Sequence, residues 1–487
     1  MSVPDSAAAA ADNAADSADV GLLSPAWAGT PVAARTGDRA LIQAMLDVEA
    51  AWVRVLADAG YLDPELVDPV LAAASQDRYD AASIAARSQG GGNPLIPLLA
   101  DLREQVRTSN PAAAAAIHQG ATSQDIVDTA LMLVAHRAVA LIEADLRTAA
   151  RAMAALAERH RRTLCAARTL TQHSLPSTFG LKAAQWLSGV GHAGSRLGTV
   201  AAGLPLQWGG AAGTMAGVSL LTERRQIGGR AAGSADGGAL DLAADLAARL
   251  GLTDPGFPWQ TNRLPVTELG QALADVLAAA GTVANDVLLL NRPEIGEVSE
   301  PVAAGRGVSS AMPQKQNPVL SVLIHSAALA GPGYQVQLQA AAGAVVDQRP
   351  DGSWHVEWQA LRQLLRLAGG AAAKLAELAT GLQVHADRMQ ANLELTGPLL
   401  LSEKIMAVVA PLLDEGNPGA GKKRVQALVE ESRGGPAALA ESLRQTVPPE
   451  RLNDAELAAL LDPSKYLGAA DELIFRIIAT HQEWSAT

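Results

Sequence analysis

Cysteine is nearly missing from this sequence, since Cys165 is the only one in 487 residues. A single thiol cannot form an internal disulfide, and none is needed in a reducing cytoplasm, where we expect the protein to reside. Metal-ligand spacings such as CxxC and HExxH are missing as well. We therefore expect no metal and no other cofactor.

Basic residues are also too few to give a positive balance, at 38 against 50 acidic ones, for a net charge of −12. A negative protein repels phosphate backbones, so no nucleic-acid partner is expected. No polybasic run and no uninterrupted apolar stretch of spanning length stands out, so no membrane partner is expected either. The N-terminal residues 1–25 lack the basic start and leucine-rich centre of a signal peptide and predict a disordered tail.

Phenylalanine and tyrosine are scarce, with three and four copies, whereas apolar residues as a whole make up 49%. Alanine and leucine supply most of that fraction, and this mix favours helix over sheet. A chain of this length exceeds one ordinary core, so several domains or one elongated assembly are expected.

Helical periodicity begins near residue 39, where apolar side chains from Ile42 to Leu56 share one face that Glu49 interrupts, and Gly60 ends the run. Longer helical runs follow, at about 124–160, 176–201, 235–250, 265–292, 318–343 and 354–384. Runs of this length are typical of a bundle whose helices span the molecule. We predict an all-α fold with a tail (1–25), an N-terminal helical domain (26–118), a central long-helix bundle (119–375) and a C-terminal helical domain (376–487).

Three polar segments adjoin these helices, and the first is HQGATSQD at 118–125. Thr122 and Ser123 directly precede a helix, and Thr122 with Asp125 has the spacing of a capping box. A helix N-terminus also suits a carboxylate ligand, because its N–H groups are free. From these residues alone, the cap is favoured.

The second segment is RTLTQHSLPSTFG at 168–180. Pro176 predicts the start of the next helix, which puts Gln172 and His173 on the turn before it. A lone histidine on such a turn is more often structural than catalytic. Gln172 can donate and accept hydrogen bonds, which suits the orientation of a carboxylate.

The third segment is GRGVSSAMPQKQNP at 305–318. Asn317 and Pro318 predict an N-cap and a first-turn proline, so 303–316 is expected to be a loop. Such loops are often merely mobile, but this one can bind an oxyanion and move a proton. The groups that would do so are Ser309, Ser310, Lys315 and Asn317.

A fourth stretch, GNPGAGKK at 416–423, is close to a phosphate-binding loop. Lys423 stands where serine or threonine should hold magnesium, and no strand pattern precedes it. A turn between helices is the favoured interpretation, and a nucleotide hydrolase is the weakest functional hypothesis.

Together the first three segments resemble the signature regions of the aspartase/fumarase superfamily, with GVSSAMPQKQNP close to GSSxMPxKxNP. QWGGAAGT (207–214), SWHVEWQAL (353–361) and LLDPSKYLG (460–468) are similar to the branch that contains 3-carboxy-cis,cis-muconate cycloisomerase. The likeness runs from about residue 30 to 470. It implies an all-α, three-domain subunit of a homotetramer, whose active sites each combine signature regions from three subunits.

The resemblance also implies a reaction in which a base removes the proton beside a carboxylate and a group leaves the neighbouring carbon, usually forming fumarate. It assigns Ser309 as the base on a mobile lid, Lys315 as its partner and His173 as a candidate general acid. A serine hydroxyl is a poor base, so Lys315, backbone N–H groups and exclusion of water must stabilise its alkoxide. The expected substrate contacts are Asn93, Thr122, Ser123, Gln172, Arg263, Ser310, Met312, Asn317 and Arg349.

Departures from the family pattern bear on the substrate. Val308 replaces a glycine and is expected to stiffen the lid, while Gln316, Leu264 and Pro265 replace polar or charged residues. Of a Glu-His-Glu-Arg cluster before SWHVEW, only Arg349 is kept. A tricarboxylate needs several cationic partners, so we hypothesise a smaller succinate derivative such as nitrosuccinate, which would release nitrite and fumarate. The alternatives are 3-carboxymuconate cycloisomerisation, less favoured adenylosuccinate cleavage, and a non-catalytic scaffold.

Overall fold

A computed structural model describes residues 20–227, 238–414, 417–431 and 436–486. Most of the predicted tail, residues 1–19, lies outside the described residues. The predicted helical class is confirmed, with two small antiparallel sheets of two strands each in the described part of the chain.

Short helices precede the first long one: α1 (Pro31–Arg35), α2 (Asp38–Asp58), α3 (Val67–Ala73), α4 (Ala81–Arg87), α5 (Leu95–Ser109) and α6 (Pro111–Ala116). The middle of the chain contains α7 (Ser123–Arg159), β1 (Leu164–Thr169), β2 (Gln172–Thr178), α8 (Phe179–Ala202), α9 (Ala216–Ile227), α10 (Ala239–Leu250), α11 (Leu264–Leu290), β3 (Val298–Ser299), α12 (Val319–Gly343), α13 (Gly352–Gly381) and β4 (Gln383–Val384). The C-terminal helices are α14 (Ala386–Thr396), α15 (Ser402–Leu412), α16 (Ala420–Glu431), α17 (Pro436–Thr446), α18 (Asp454–Leu460) and α19 (Ala470–Ala486). The long helices begin and end within a few residues of the predicted runs.

The chain forms two compact units, each built from three separate stretches of sequence. Unit 1 comprises Met1–Asp145, Ala193–Gly281 and Leu323–Ala373, and unit 2 comprises Leu146–His192, Thr282–Val322 and Lys374–Thr487. The division into three domains at residues 118 and 375 stays a prediction.

In unit 1, α2 has the predicted apolar face, and its Met45, Leu46 and Trp52 side chains are fully buried. The helix ends at Asp58, and Gly60 follows with a φ of 71°, a conformation that glycine adopts without a steric penalty. Glu49, the predicted polar interruption, is buried on the same face and therefore requires a partner.

In unit 2, the segment predicted as a turn before a helix is a β-hairpin, so the prediction that Pro176 starts a helix is wrong. Strand β2 contains Pro176 and pairs antiparallel with β1, around a turn in which Leu170 and Thr171 have positive φ. A proline is tolerated here because each strand of a two-stranded sheet has a free edge. Helix α8 begins at Phe179, and the Thr178 hydroxyl accepts a hydrogen bond from the Leu181 N–H at 3.2 Å.

The C-terminal part of unit 2 has its own apolar cluster, which draws residues from α15 to α18. In the GNPGAGKK stretch, residues 417–419 lie between α15 and α16, residues 420–423 begin α16, and Gly416 lies outside the described residues. The backbone N–H groups of Gly419 and Gly421 both donate to Asp414 Oδ1 at 3.0 Å. These amides are already satisfied by a carboxylate, which agrees with the predicted turn between helices.

Three segments among the described residues are long and apolar enough to cross a membrane by length and composition: Leu264–Leu290, Val319–Gly343 and Ala386–Leu412. By this criterion, the expectation that no stretch of spanning length exists is wrong. Half of the most apolar window in Leu264–Leu290 is buried inside the protein, and the segment carries Glu268, Asp275 and Asp286. Its apolarity therefore serves at least partly for packing within the chain.

Replacement of Ile405 by alanine should destabilise the C-terminal cluster, because Ile405 is fully buried there. We expect the free energy of unfolding to fall by about 2–5 kcal/mol in urea titrations followed by circular dichroism. The matched control is Val408→Ala on the same helix, where the side chain is 42% exposed, and we expect a change within about 0.5 kcal/mol. Equal losses in the two variants would contradict this assignment of the core.

Candidate active site

The first signature segment lies in unit 1 and is held by Asp125, which is completely buried. Its carboxylate accepts hydrogen bonds from the backbone N–H groups of Thr122 at 2.9 Å, Gly209 at 2.7 Å and Gly210 at 2.9 Å, and from Gln207 Nε2 at 3.2 Å. One side chain thus ties the N-terminus of α7 to the QWGG segment.

Only half of the predicted capping box forms. Asp125 accepts from the Thr122 N–H as a capping box requires, but the Thr122 hydroxyl does not return the bond. Instead it accepts a hydrogen bond from Arg349 NH1 at 3.2 Å. Two residues predicted to bind substrate, Thr122 and Arg349, are therefore in contact, and Ser123 is the first residue of α7 beside them.

Burial raises the pKa of Asp125 to about 6, and this effect outweighs the opposing effect of the hydrogen bonds from Thr122, Gly209, Gly210 and Gln207. At neutral pH the group is therefore mostly ionised and able to accept all four bonds. In mildly acidic solution it takes up a proton.

Arg263, which is expected to contact substrate, is buried in unit 1, and its substrate contact stays a prediction. Its guanidinium donates to both oxygens of Asp128, at 2.7 and 3.0 Å, and to Glu357 at 2.5–3.1 Å. It also lies 4.7 Å from the centre of the Trp259 ring. Two carboxylates and a ring occupy this cation, so it acts as a structural link inside unit 1.

The SWHVEW segment organises the surroundings of this ion cluster. Trp354 Nε1 donates to Asp128 Oδ1 at 2.8 Å, and the Arg349 guanidinium lies 5.5 Å from the Trp354 ring centre. His355 Nε2 lies 2.7 Å from the carbonyl oxygen of Gly92, next to the predicted site residue Asn93. The buried Asn93 side chain donates to Gly91 and accepts from the Leu95 N–H, which shapes the turn instead of leaving the amide free.

His118, the first residue of the HQGATSQD segment, is the partner of the buried Glu49 side chain. Its Nδ1 lies 2.6 Å from Glu49 Oε1, and its backbone has a φ of 66°. The neighbouring Gln119 carbonyl accepts from Trp52 Nε1 at 2.8 Å, and the Trp52 ring packs against Trp208. Glu49 and Trp52, on the buried face of α2, therefore hold the loop that leads to Thr122.

The third signature segment lies in unit 2, and its Ser309 Oγ accepts hydrogen bonds from two backbone N–H groups, those of Met312 at 3.1 Å and Ala311 at 3.4 Å. Donors of this kind stabilise a negative oxygen, which is what an alkoxide base requires. The neighbouring Ser310, Met312 and Lys315 are exposed. The loop thus presents a hydroxyl with two amide donors, and it also carries an exposed lysine.

The predicted cap of the following helix is wrong. Helix α12 begins at Val319, and Glu300 caps it by accepting from the backbone N–H groups of Leu320 at 3.0 Å and Ser321 at 2.7 Å. The carboxylate reaches these amides from outside the helix, so Asn317 is released from capping. Its Nδ2 donates to the Gly307 carbonyl at 3.1 Å and closes the base of the loop.

The positive φ angles that the loop needs are found at Gly305 and Gly307, at 75° and 69°. Val308 lies in an isolated bridge with Gln316, so its substitution for glycine costs no left-handed conformation.

The second signature segment forms strand β2 of unit 2. His173 Nδ1 lies 2.8 Å from the Thr396 hydroxyl, and Gln172 is exposed, with its Nε2 donating to Thr171 Oγ1 at 3.3 Å. Burial, with a smaller contribution from Arg168, lowers the pKa of His173, although Glu297 opposes the change. The ring is therefore mainly neutral at neutral pH.

The predicted site residues thus fall into two sets. Asn93, Thr122, Ser123, Arg263 and Arg349 belong to unit 1, and Gln172, His173, Ser309, Ser310, Met312, Lys315 and Asn317 belong to unit 2. Their catalytic and binding roles stay predictions. Sequence reasoning missed the residues that hold these sets in place, notably Asp128, Trp354, Glu357 and Thr396, although SWHVEW was a visible signal for two of them.

A family model described as a lyase matches residues 31–331 of the chain. The chain belongs to this lyase family. The enzyme is 45% identical to nitrosuccinate lyase from Streptomyces davaonensis over 465 residues, which cover 94% of each chain. It is 36% identical to 3-carboxy-cis,cis-muconate cycloisomerase from Bradyrhizobium diazoefficiens, over 94% of this chain and 97% of the relative.

Solved structures agree with this assignment. The lyase superimposes on 3-carboxy-cis,cis-muconate lactonizing enzyme from Pseudomonas putida with a TM-score of 0.81 and 34% identity, covering 92% of this chain and 96% of the other. A fumarate lyase from a Mesorhizobium species gives a TM-score of 0.76 at 30% identity, with coverage of 92% and 97%. The protein is therefore a lyase of the aspartase/fumarase superfamily, near the cycloisomerase branch, with the fumarase-like fold.

The titration of Asp125 should be visible in the pH dependence of stability. Its folded-state pKa of about 6 lies above the ordinary 3.8, so the folded protein holds this proton more tightly than the unfolded chain does. Its contribution to the free energy of unfolding should therefore fall as the pH rises from about 4 to about 6, by about 3 kcal/mol, and stay constant above that range.

Urea unfolding of the wild type and of Asp125→Asn across this range should give a difference that shrinks as the pH rises, because only the wild type titrates at this position. The matched control is Asp68→Asn, whose carboxylate is 91% exposed, and its difference from the wild type should not show this trend. A flat difference for Asp125→Asn would contradict the effect of burial on this carboxyl.

Proposed function

We propose that the lyase converts nitrosuccinate to fumarate and nitrite by β-elimination. The main support for this chemistry is the Ser309 hydroxyl, which accepts hydrogen bonds from two backbone N–H groups. It lies on a loop that also presents Lys315. The name of the Streptomyces relative, at 45% identity over nearly the whole chain, supports the choice of substrate.

The arginine side chains of unit 1 favour a dicarboxylate substrate over a tricarboxylate substrate. Arg263 is neutralised by Asp128 and Glu357, so its charge is not available to a ligand. Arg349 remains beside Thr122 and the N-terminus of α7. One guanidinium with a helix N-terminus suits one carboxylate group, with the second carboxylate bound elsewhere in the site.

In the proposed reaction, the Ser309 alkoxide takes a proton from the CH2 group beside one carboxylate, and an enediolate forms. The electron pair of that C–H bond becomes the new carbon–carbon double bond, while the carbon–nitrogen bond breaks and nitrite leaves with its electrons. Nitrite is a weak base, so it needs little protonation as it departs. A neutral His173 can then stabilise its oxygens by a hydrogen bond instead of delivering a proton.

Ser309→Ala should abolish release of both fumarate and nitrite, because it removes the base that begins the elimination. General base catalysis is worth about 10²- to 10⁴-fold, so a loss of at least that size is expected in kcat. Fumarate absorbance and a colorimetric nitrite assay follow the two products independently. The matched control, Ser442→Ala on α17, should retain wild-type turnover.

Full activity of the Ser309→Ala variant would show that another group is the base. A wild-type enzyme that releases neither product from nitrosuccinate, yet consumes the diene absorbance of 3-carboxymuconate, would replace the proposed function with the cycloisomerase alternative. The similarity to muconate cycloisomerases at 36% identity makes this the comparison to run in parallel.

The lyase is further proposed to act as a homotetramer in the cytoplasm. Helix α12 has an exposed row of residues spaced alternately by four and three: Val322, Ser326, Leu329, Gly333, Val336 and Ala340. Val322, Leu329 and Val336 are 47%, 70% and 66% exposed. A spacing of four and three is that of a coiled-coil seam, so the favoured occupant of this face is a helix from another copy, which also accounts for apolar exposure without a membrane.

Leu329→Glu should weaken the assembly, because it places a charge at the centre of this seam. Light scattering coupled to size-exclusion chromatography should give a mass below that of the wild-type oligomer. Leu240→Glu, at a leucine of similar exposure (58%) on α10, is the matched control and should leave the mass unchanged. An unchanged mass for Leu329→Glu, or a monomeric wild type, would contradict the proposal.

A further inference from the structure

Thr396 and His173 are separated by 223 residues in the chain, yet their side chains meet in unit 2. The Thr396 hydroxyl lies 2.8 Å from His173 Nδ1, which is the distance of a good hydrogen bond. Both residues are partly buried. The contact therefore joins the candidate general acid to the C-terminal end of α14.

Apolar packing brings α14 to the hairpin. Leu393 on α14 and Leu400 just beyond it form a buried cluster with Ala166 of β1. Thr396 follows Leu393 by three residues, so it lies close to the same face of the helix. The position of Thr396 beside β2 is thus a consequence of how the helix packs.

A buried group of polar and charged side chains also holds α14 against the hairpin formed by β1 and β2. Asn392, one turn before Thr396, donates to Glu297 Oε1 at 2.8 Å. Glu297 in turn accepts from Arg168 at 2.5 and 3.1 Å, and Arg168 is the residue of β1 that pairs with His173 across the hairpin. Glu297 and Asn392 are both nearly inaccessible to solvent, so the geometry of the Thr396–His173 contact is strongly constrained.

The contact distance fits either tautomer of the ring, and the available acceptors favour the one in which the Thr396 hydroxyl donates to Nδ1. Within the described ranges, the Thr396 hydroxyl has no hydrogen-bond partner other than His173 Nδ1. A hydroxyl that donates to Nδ1 requires the lone pair of that nitrogen, so the proton of the neutral ring must be on Nε2. The described residues likewise contribute no partner to His173 Nε2, so that N–H is free to meet a ligand.

We propose that Thr396 is a positioning residue that holds His173 as the Nε2–H tautomer, with this N–H directed at the oxygens of the departing group. The inference rests on the proposed function, and it adds the residue that selects the donor atom. A hydroxyl suits this task because it also accepts from Nδ1–H when the ring is charged, so the ring keeps its orientation in either protonation state.

Thr396→Val tests the proposal, because valine keeps the shape of threonine and removes the hydroxyl. We expect kcat for nitrite release to fall about 10-fold, with a smaller change in KM, since the hydrogen bond matters most as negative charge develops on the leaving group. Thr396→Ser, which restores the hydroxyl, should recover most of the loss. The matched control is Thr446→Val, whose hydroxyl donates to a backbone carbonyl on α17, and wild-type kinetics are expected for it.

A second measurement is independent of substrate. Solid-state ¹⁵N NMR of the sedimented enzyme, labelled at histidine and assigned by comparison with His173→Gln, should show His173 with a protonated Nε2 and an unprotonated Nδ1. In Thr396→Val the His173 signals should shift toward a mixture of tautomers. A wild-type enzyme that releases no nitrite but gives the expected spectra would count against the proposed substrate while supporting the role of Thr396.

Two results would overturn the inference. One is a His173 ring in the Nδ1–H tautomer in the wild type. The other is a Thr396→Val enzyme that matches the wild type in both its spectrum and its nitrite release. Equal loss of kcat in Thr396→Ser and Thr396→Val would also overturn it, because the effect would then not depend on the hydroxyl.

Discussion

The buried cluster of Arg263, Asp128 and Glu357 is the constraint on which unit 1 depends. It links α7, α13 and the residue before α11, three segments far apart in sequence. Burial of three charges is costly unless each is paired and hydrogen-bonded, and here both carboxylates contact one guanidinium while Trp354 donates to Asp128. Loss of one partner would leave an unpaired charge in the interior, so the cluster tolerates few substitutions.

The cluster also determines where the residues expected to bind substrate lie. Asp128 lies one to two turns into α7, so its position sets that of Thr122 and Ser123 at the start of the helix. Trp354 places Arg349 next to the Thr122 hydroxyl, and His355 reaches the turn that precedes Asn93. A single helical segment, SWHVEW, therefore supports several candidate contacts at once.

Much of the fold could be predicted from the sequence, because long runs of alanine and leucine at helical spacing leave few alternatives. The hairpin at 164–178 could not be predicted, because a proline such as Pro176 is also typical of the first turn of a helix. The sequence pattern does not reveal the pairing of β2 with β1. The capping residue of α12 was wrong for a similar reason, since Glu300 caps the helix from outside it instead of the adjacent Asn317. The burial of Arg263 could not be predicted because a sequence shows charge but not burial, and Thr396 was missed because its partner is more than two hundred residues away.

The central proposal, which the family resemblance implies, is that an activated Ser309 hydroxyl from one copy completes a site whose carboxylate-binding residues, such as Thr122, belong to another. Subunit complementation tests it most directly. Ser309→Ala and Thr122→Ala enzymes, each inactive alone, are mixed, dissociated with mild denaturant and reassembled, and nitrite release is then measured. The account predicts that mixed oligomers recover activity, because some of their sites contain neither substitution. Reassembled mixed oligomers with no recovered activity would contradict it.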